Sequence, residues 1–293
     1  MCESLLSHLS RYCYKIQNRN NNWRQIGSRP KRSLKSIVLD SGIKELLLED
    51  AKEFLASREW YSERGIPFRR GYLLYGAPGC GKTSLIHSIA GELDLDVYII
   101  SLSRSGLDDN SLNELITELP ERCVALMEDI DVALTRGLTR ESDDNPDRTG
   151  KDDTNPKYQL NVAYSSSRVT LSGLLNCLDG IGAAEGRILF ATTNKYSSLD
   201  PALTRPGRMD LHIEFKLASK HQARELFCHF YKPKHPHAKF SDNMVESLAS
   251  QFADLIPERQ LSMAALQGFL MTYKSRPSLA VEMAPEWLRK NSH

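Results

Sequence analysis

Between the apolar run Tyr72-Leu73-Leu74-Tyr75 and a stretch of helical spacing that begins at Ser84 lies Gly76-Ala77-Pro78-Gly79-Cys80-Gly81-Lys82-Thr83, a G-x-x-x-x-G-K-T sequence in a strand-to-helix setting. That motif commits the chain to a buried strand, a phosphate-cradling loop and a helix as one unit. The glycines let backbone N–H groups turn inward around a phosphate chain, and the helix that follows offers its positive N-terminus. Lys82 is placed to reach the β and γ phosphates, and Thr83 to ligate Mg²⁺. A nucleoside triphosphate with Mg²⁺ is the expected ligand. A glycine-rich turn that only joins strand to helix would not require the lysine and threonine that close the motif.

Around this unit, strand and helix signals alternate. Gly42 to Leu55 has helical spacing, Trp60 to Arg70 reads as a loop because of Gly65 and Pro67, and Ser36 to Leu39 is a short strand-like run. Thr83 to Leu93 reads as a helix, Val97 to Leu102 as a strand, and Ser111-Leu112-Asn113-Glu114 as a capping box opening a helix that Pro120 stops. Cys123 to Met127 is a continuous apolar run, as in a strand covered on both faces, and Leu171 to Leu178, Ile188 to Thr192 and Leu211 to Phe215 continue the alternation. The expected fold is α/β, a P-loop NTPase parallel sheet sandwiched by helices over residues 35–218, followed by a small α-helical lid domain over 219–293. In that second part His221 to Tyr231, Asn243 to Phe252 and Leu261 to Tyr273 have helical spacing without strands. Residues 139–168 carry too little apolar material to pack and read as a disordered insertion.

Three further segments carry chemistry. Val124-Ala125-Leu126-Met127-Glu128-Asp129 is a buried strand that ends abruptly in carboxylates, which suits a site where Mg²⁺ and an attacking water must be placed. One carboxylate would hold the metal, with Thr83, and the next would orient or deprotonate the water. Ala191-Thr192-Thr193-Asn194 ends another strand, and a parallel sheet collects such ends at one rim, so Asn194 is expected beside the acidic pair. Leu199-Asp200-Pro201-Ala202-Leu203-Thr204-Arg205-Pro206-Gly207-Arg208 sets two arginines on a turn, and guanidinium groups suit γ-phosphate contacts.

In this order and wording the four segments resemble the AAA family of ring ATPases, from about Ser36 to the C-terminus. The resemblance puts Glu128 and Asp129 in the metal-organising and water-activating places, Asn194 in the sensor place, and Arg205 and Arg208 in the arginine-finger places, with hydrolysis at the interfaces of a homo-oligomeric ring. Trp60 to Gly76 and Leu171 to Gly180 are similar to the mitochondrial subfamily that translocates the folded Rieske iron-sulfur protein during respiratory complex III assembly. That subfamily also carries Glu-Asp where most relatives carry Asp-Glu, and the inversion leaves open which carboxylate activates water. Mitochondrial inner-membrane association and a protein substrate are implied by this resemblance alone. Two departures stand out: no convincing second-sensor arginine is found, and only a stub could correspond to the subfamily's membrane span and substrate domain. Ser103-Arg104-Ser105-Gly106-Leu107, where threading machines present an aromatic, has none.

Composition excludes more than it selects. A net charge of +1 over 293 residues gives no global pull toward nucleic acid, and none is expected as a partner. The asymmetry is local: no acidic residue stands between Glu3 and Asp40, so residues 1–34 read as a basic N-terminal stub of solvated or targeting character. No apolar run approaches the ~18 residues of a membrane span, and the chain reads as soluble. Six cysteines without C-x-x-C pairs argue against zinc and against a disulfide framework. The competing reading is a nucleotide-binding regulatory or truncated ring subunit that moves no substrate itself.

Overall fold

The computed structural model describes residues 10–16, 22–132, 169–180, 185–232 and 240–291. The segment read as a disordered insertion, 139–168, lies outside these. Seven strands form one sheet in the order β2-β1-β4-β5-β6-β3-β7. They are β1 (Ser10–Ile16), β2 (Trp23–Pro30), β3 (Arg70–Gly76), β4 (Val97–Ser101), β5 (Val124–Glu128), β6 (Ile188–Thr193) and β7 (Leu211–Phe215). The pairs β1–β4, β4–β5, β5–β6 and β3–β6 are parallel, and only β1–β2 is antiparallel among the pairs with a described register. Four consecutive residues of β3 and of β5 are buried, the signature of central strands covered on both faces. The expected α/β architecture with a parallel sheet and a helical lid is the observed one.

The described residues fall into two compact units, one of residues up to 31 with 49–75 and 89–213, the other of 32–48, 76–88 and 214–291. Within the first, one face of the sheet meets α4 (Asp109–Thr117) and α5 (Leu171–Asp179), with Ile100, Leu112, Leu115, Met127, Leu174 and Ala191 in one apolar cluster. Each large side chain buried there contributes about 1.5–3 kcal/mol. Arg187 donates to the carbonyls of Ile116 and Thr117 at the end of α4 and of Leu119 and Pro120 just beyond it, placing a cation at the helix C-terminus. Asp50, on α1 (Ile43–Ala56), accepts from both the Arg70 guanidinium and the Tyr72 hydroxyl. Burial alone would raise its pKa, and those donors reverse the effect and lower it.

Several local expectations change. The segment read as a basic stub supplies β1 and β2: Tyr14 stacks on Tyr98 at 4.5 Å, and Trp23 meets Tyr98 edge-on while its indole N–H donates to Leu115 O. Its aromatics, not its charge, decide its place. The run Ser36 to Leu39, expected as a strand, instead follows on the 3₁₀ turn Leu34–Ser36 without forming one, and the start of the Trp60 to Arg70 loop is taken up by the short helix α2 (Arg58–Glu63). The N-cap of α4 is Asp108, which accepts from Ser111 N, so the helix opens ahead of the proposed capping box.

In the second unit, α6 (Lys220–Tyr231) opens on a true capping box made by Ser219 and Gln222, and α7 (Asp242–Leu255) and α8 (Met263–Thr272) open on the serine caps Ser241 and Ser262. A fourth helix, α9 (Pro277–Asn291), was not anticipated; it contains Pro285 and closes the core through Ala280, Ala284 and Trp287. Phe227, Phe252 and Phe269 form the centre of that core. No described helix is long and apolar enough to cross a membrane.

All five described cysteines are buried free thiols. Burial pushes Cys123 up to about 12 and Cys177 up to about 11. Iodoacetamide at neutral pH is therefore expected to leave both unlabelled in the native chain and to label both in guanidinium, as read by peptide mass spectrometry; rapid native labelling of Cys123 would contradict its packing.

Candidate functional site

The loop after β3 is the first part of the site. Its backbone takes positive φ at Gly76, Gly79 and Gly81, of 131°, 77° and 98°. At Gly79 a Cβ would also stand 3.0 Å from the Ala264 Cβ and 3.1 Å from the Ser262 Oγ, because the start of α8 packs on the loop and Ala264 N–H donates to Gly79 O at 2.9 Å. Glycine is thus required twice over. Lys82 opens α3 (Lys82–Glu92), is 7% exposed, and donates from Nζ to Gly76 O at 2.6 Å and Ala77 O at 3.1 Å. The ammonium closes the loop on itself and stands where it can exchange carbonyl acceptors for phosphate oxygens. Cys80 is buried, which raises its thiol against the lowering effect of Lys82, while Ala77 and Thr83 are half-buried and Pro78 is exposed. An anion is the ligand such a cradle fits.

The second part is a set of strand ends. Register pairs Tyr75 with Thr193, Met127 with Ala191 and Ser101 with Glu128, so β3, β4, β5 and β6 end along one edge of the sheet. Glu128 is half-buried at that edge and Asp129 is exposed beyond it. Asp129 has φ 49°, an uncommon left-handed conformation for a residue with a Cβ. It is held there by its own N–H, which donates to Thr192 Oγ1 at 3.1 Å. The amide Nδ2 of Asn194 donates to Asp129 Oδ1 at 3.0 Å. The expected neighbours Asp129 and Asn194 do meet, though Asn194 orients the carboxylate directly.

A residue the sequence reading passed over fastens this edge. Asp131 is 6% exposed and accepts at Oδ1 from the Thr193 hydroxyl at 2.9 Å and from Asn194 N at 3.3 Å. A buried carboxylate needs such donors. Its spacing, two beyond Asp129 on a chain already turning away from the strand, was the available signal. The two arginines differ. Arg205 is exposed, whereas the Arg208 side chain is 16% exposed and donates to Asp179 Oδ2 and to Ala202 O, each at 2.6 Å. Its contacts are with α5 and its own turn, not with Asp129 or Asn194.

The profile of the ATPase family associated with various cellular activities (AAA) matches residues 72–217, and that of the mitochondrial chaperone BCS1-like ATPase lid domain matches 220–286. The probable mitochondrial chaperone BCS1-A of Dictyostelium discoideum is 44% identical over 268 residues, 91% of this chain and 58% of the relative. Mitochondrial chaperone BCS1 of Homo sapiens is 42% identical over 273 residues, 92% of this chain and 58% of the relative. The probable mitochondrial chaperone bcs1 of Schizosaccharomyces pombe is 40% identical over 265 residues, 90% and 52% of the two lengths. The chain spans between half and three-fifths of the length of these relatives.

Proposed function

This chain belongs to the AAA family and carries a BCS1-like lid, and on that premise we propose that it binds Mg-ATP and hydrolyses it as the motor part of a mitochondrial protein chaperone. The observation that carries hydrolysis, as opposed to binding alone, is the Asp129–Asn194 pair at the edge of the sheet where β3, β5 and β6 end. Asn194 leaves one carboxylate oxygen of Asp129 for a water, and the left-handed backbone of Asp129 keeps the side chain beyond the strand end. In the reaction, water oxygen bonds to the γ-phosphorus, the bond from that phosphorus to the β–γ bridging oxygen breaks, and ADP leaves with the electron pair. Asp129 orients the water and takes its proton; the loop N–H groups and Lys82 hold the phosphates.

Among the described residues no three His, Cys, Asp or Glu side chains cluster to hold a metal by themselves. That fits Mg²⁺, which is commonly bound by one or two protein groups plus phosphate oxygens. Thr83 and Glu128 are the groups assigned to it. When bound, Mg²⁺ neutralises phosphate charge in the transition state. A mitochondrial place and a protein substrate are further parts of this reading, supported by the names of the relatives, which are mitochondrial chaperones. Ring assembly is supported by the exposed Arg205 of the arginine turn, and inner-membrane association by the subfamily resemblance alone. The turn at Ser103–Leu107 exposes Ser103, Ser105 and Gly106 and buries Leu107, which favours folded cargo over a threaded chain.

Asp129→Asn is expected to lower kcat for ATP by roughly a hundredfold while leaving affinity for a fluorescent ADP analogue within about twofold, since general-base removal costs 10²–10⁴ in rate and none in binding. Unchanged turnover would overturn the role of Asp129. Nucleotide binding by the wild-type chain with no turnover at any protein concentration would favour a regulatory subunit instead.

A further inference from the structure

The two arginines of the Pro-Gly turn are bound into the fold differently. Arg208 has committed Nε–H to Asp179 and Nη1–H to Ala202 O, both at 2.6 Å. Asp179 is the last residue of α5, and the start of that helix is itself pinned, because Asp109 accepts from both the backbone N–H and the hydroxyl of Thr170 at 2.7 Å. On the other side of the turn, Asp210 accepts from Gly207 N at 2.8 Å and from Gly71 N at 2.9 Å, and so ties the same peptide to β3. Arg205 stands between these fastenings with its side chain exposed, while its carbonyl accepts from Arg208 N and Met209 N. To reach a phosphate, Arg208 would have to abandon an anion and a carbonyl in a half-buried place; Arg205 has no such contacts to break.

We propose that Arg208 is a positioning residue: clamped between Asp179 and Ala202, it aims the turn from which Arg205 reaches the γ-phosphate of a neighbouring subunit's ATP. This rests on the reading that the chain hydrolyses ATP with an arginine from this turn. Asp179 is then part of the hydrolytic machinery without touching nucleotide. A rigid turn matters because misplacing a reacting group by about an ångström costs on the order of a hundredfold in rate.

The test is steady-state ATPase of the full chain, with fluorescent ADP affinity and thermal midpoint measured on every variant. Arg205→Ala is expected to lower kcat by roughly a thousandfold, as for loss of a phosphate-contacting arginine. Asp179→Asn and Arg208→Ala are each expected to lower kcat by roughly ten- to a hundredfold with ADP affinity unchanged, and the double variant by no more than either alone. Arg208→Lys, which keeps a cation for Asp179, is expected to recover most of the turnover. In the Arg205→Ala background, Arg208→Ala should cost nothing further. The proposal is overturned if Asp179→Asn turns over at the wild-type rate, if Arg208→Lys is as slow as Arg208→Ala, or if Arg208→Ala costs a further tenfold in the Arg205→Ala background. If Arg205→Ala and Arg208→Ala both keep wild-type turnover, the use of this turn in hydrolysis fails as a whole, and the positioning role of Arg208 with it.

Discussion

Lys82→Ala is expected to raise the dissociation constant for ATP by at least roughly a hundredfold and to bring hydrolysis below detection. The side chain is 7% exposed and its ammonium already spans Gly76 O and Ala77 O, so it lies inside the loop and not in bulk water. Charge-assisted hydrogen bonds contribute about 1.5–3 kcal/mol each, and two phosphate contacts together convert to roughly 10²–10⁴ in affinity. Lys82→Arg should fail nearly as badly, because a planar fork does not fit a pocket shaped by two converging carbonyls and a compact point charge. The thermal midpoint without nucleotide serves as the control, and it should change little beside the lost binding. Isothermal titration decides the matter: ATP binding by Lys82→Ala within about threefold of wild type would mean that the loop does not cradle phosphate through this residue.

What could be read from the sequence was whatever physics makes local. The phosphate loop is contiguous, its glycines sit at the positive φ values their chemistry permits, and its flanks declare a strand and a helix by periodicity. The Asp129–Asn194 neighbourhood was legible one step removed, because parallel strands bring their ends to one edge. Side-chain partners far apart along the chain were not. Nothing near Arg208 points to Asp179, nothing near Asp131 points to Thr193, and the lid's Ser262 and Ala264 carry no mark of their approach to Gly79. The basic N-terminus misled for a related reason: charge describes the exposed residues of β1 and β2, whereas Tyr14 and Trp23 find their partner in Tyr98 on a strand they precede by about seventy residues or more. The last helix was hidden by Pro285, which breaks a helical pattern in sequence yet is accommodated inside α9.

Gly71→Ala should be among the most damaging single-methyl additions available to this chain. Gly71 sits in β3, and a Cβ there would stand 1.8 Å from Arg208 O, 2.9 Å from Arg208 C and 3.1 Å from Met209 Cα. These are backbone atoms and cannot swing away as a side-chain tip would. Both polar groups of Gly71 are also engaged with one residue, since its N–H donates to Asp210 Oδ2 and its carbonyl accepts from Asp210 N at 2.7 Å. The methyl can be admitted only if the strand and the arginine turn part, which breaks those bonds and moves Arg205 and Arg208 together. A cost of about 2–4 kcal/mol is expected from overpacking against backbone with loss of hydrogen bonds, which for a chain of this size lowers the thermal midpoint by roughly 5–15 °C. Turnover should fall further than nucleotide affinity, because the turn is displaced while the phosphate loop keeps its own sequence. Gly27→Ala is the matched control: nothing lies within 4 Å of its Cβ position, and it should melt and turn over as wild type does. If Gly71→Ala behaves like Gly27→Ala, strand and turn do not approach this closely in solution, and the clamp that aims Arg205 has no floor to stand on.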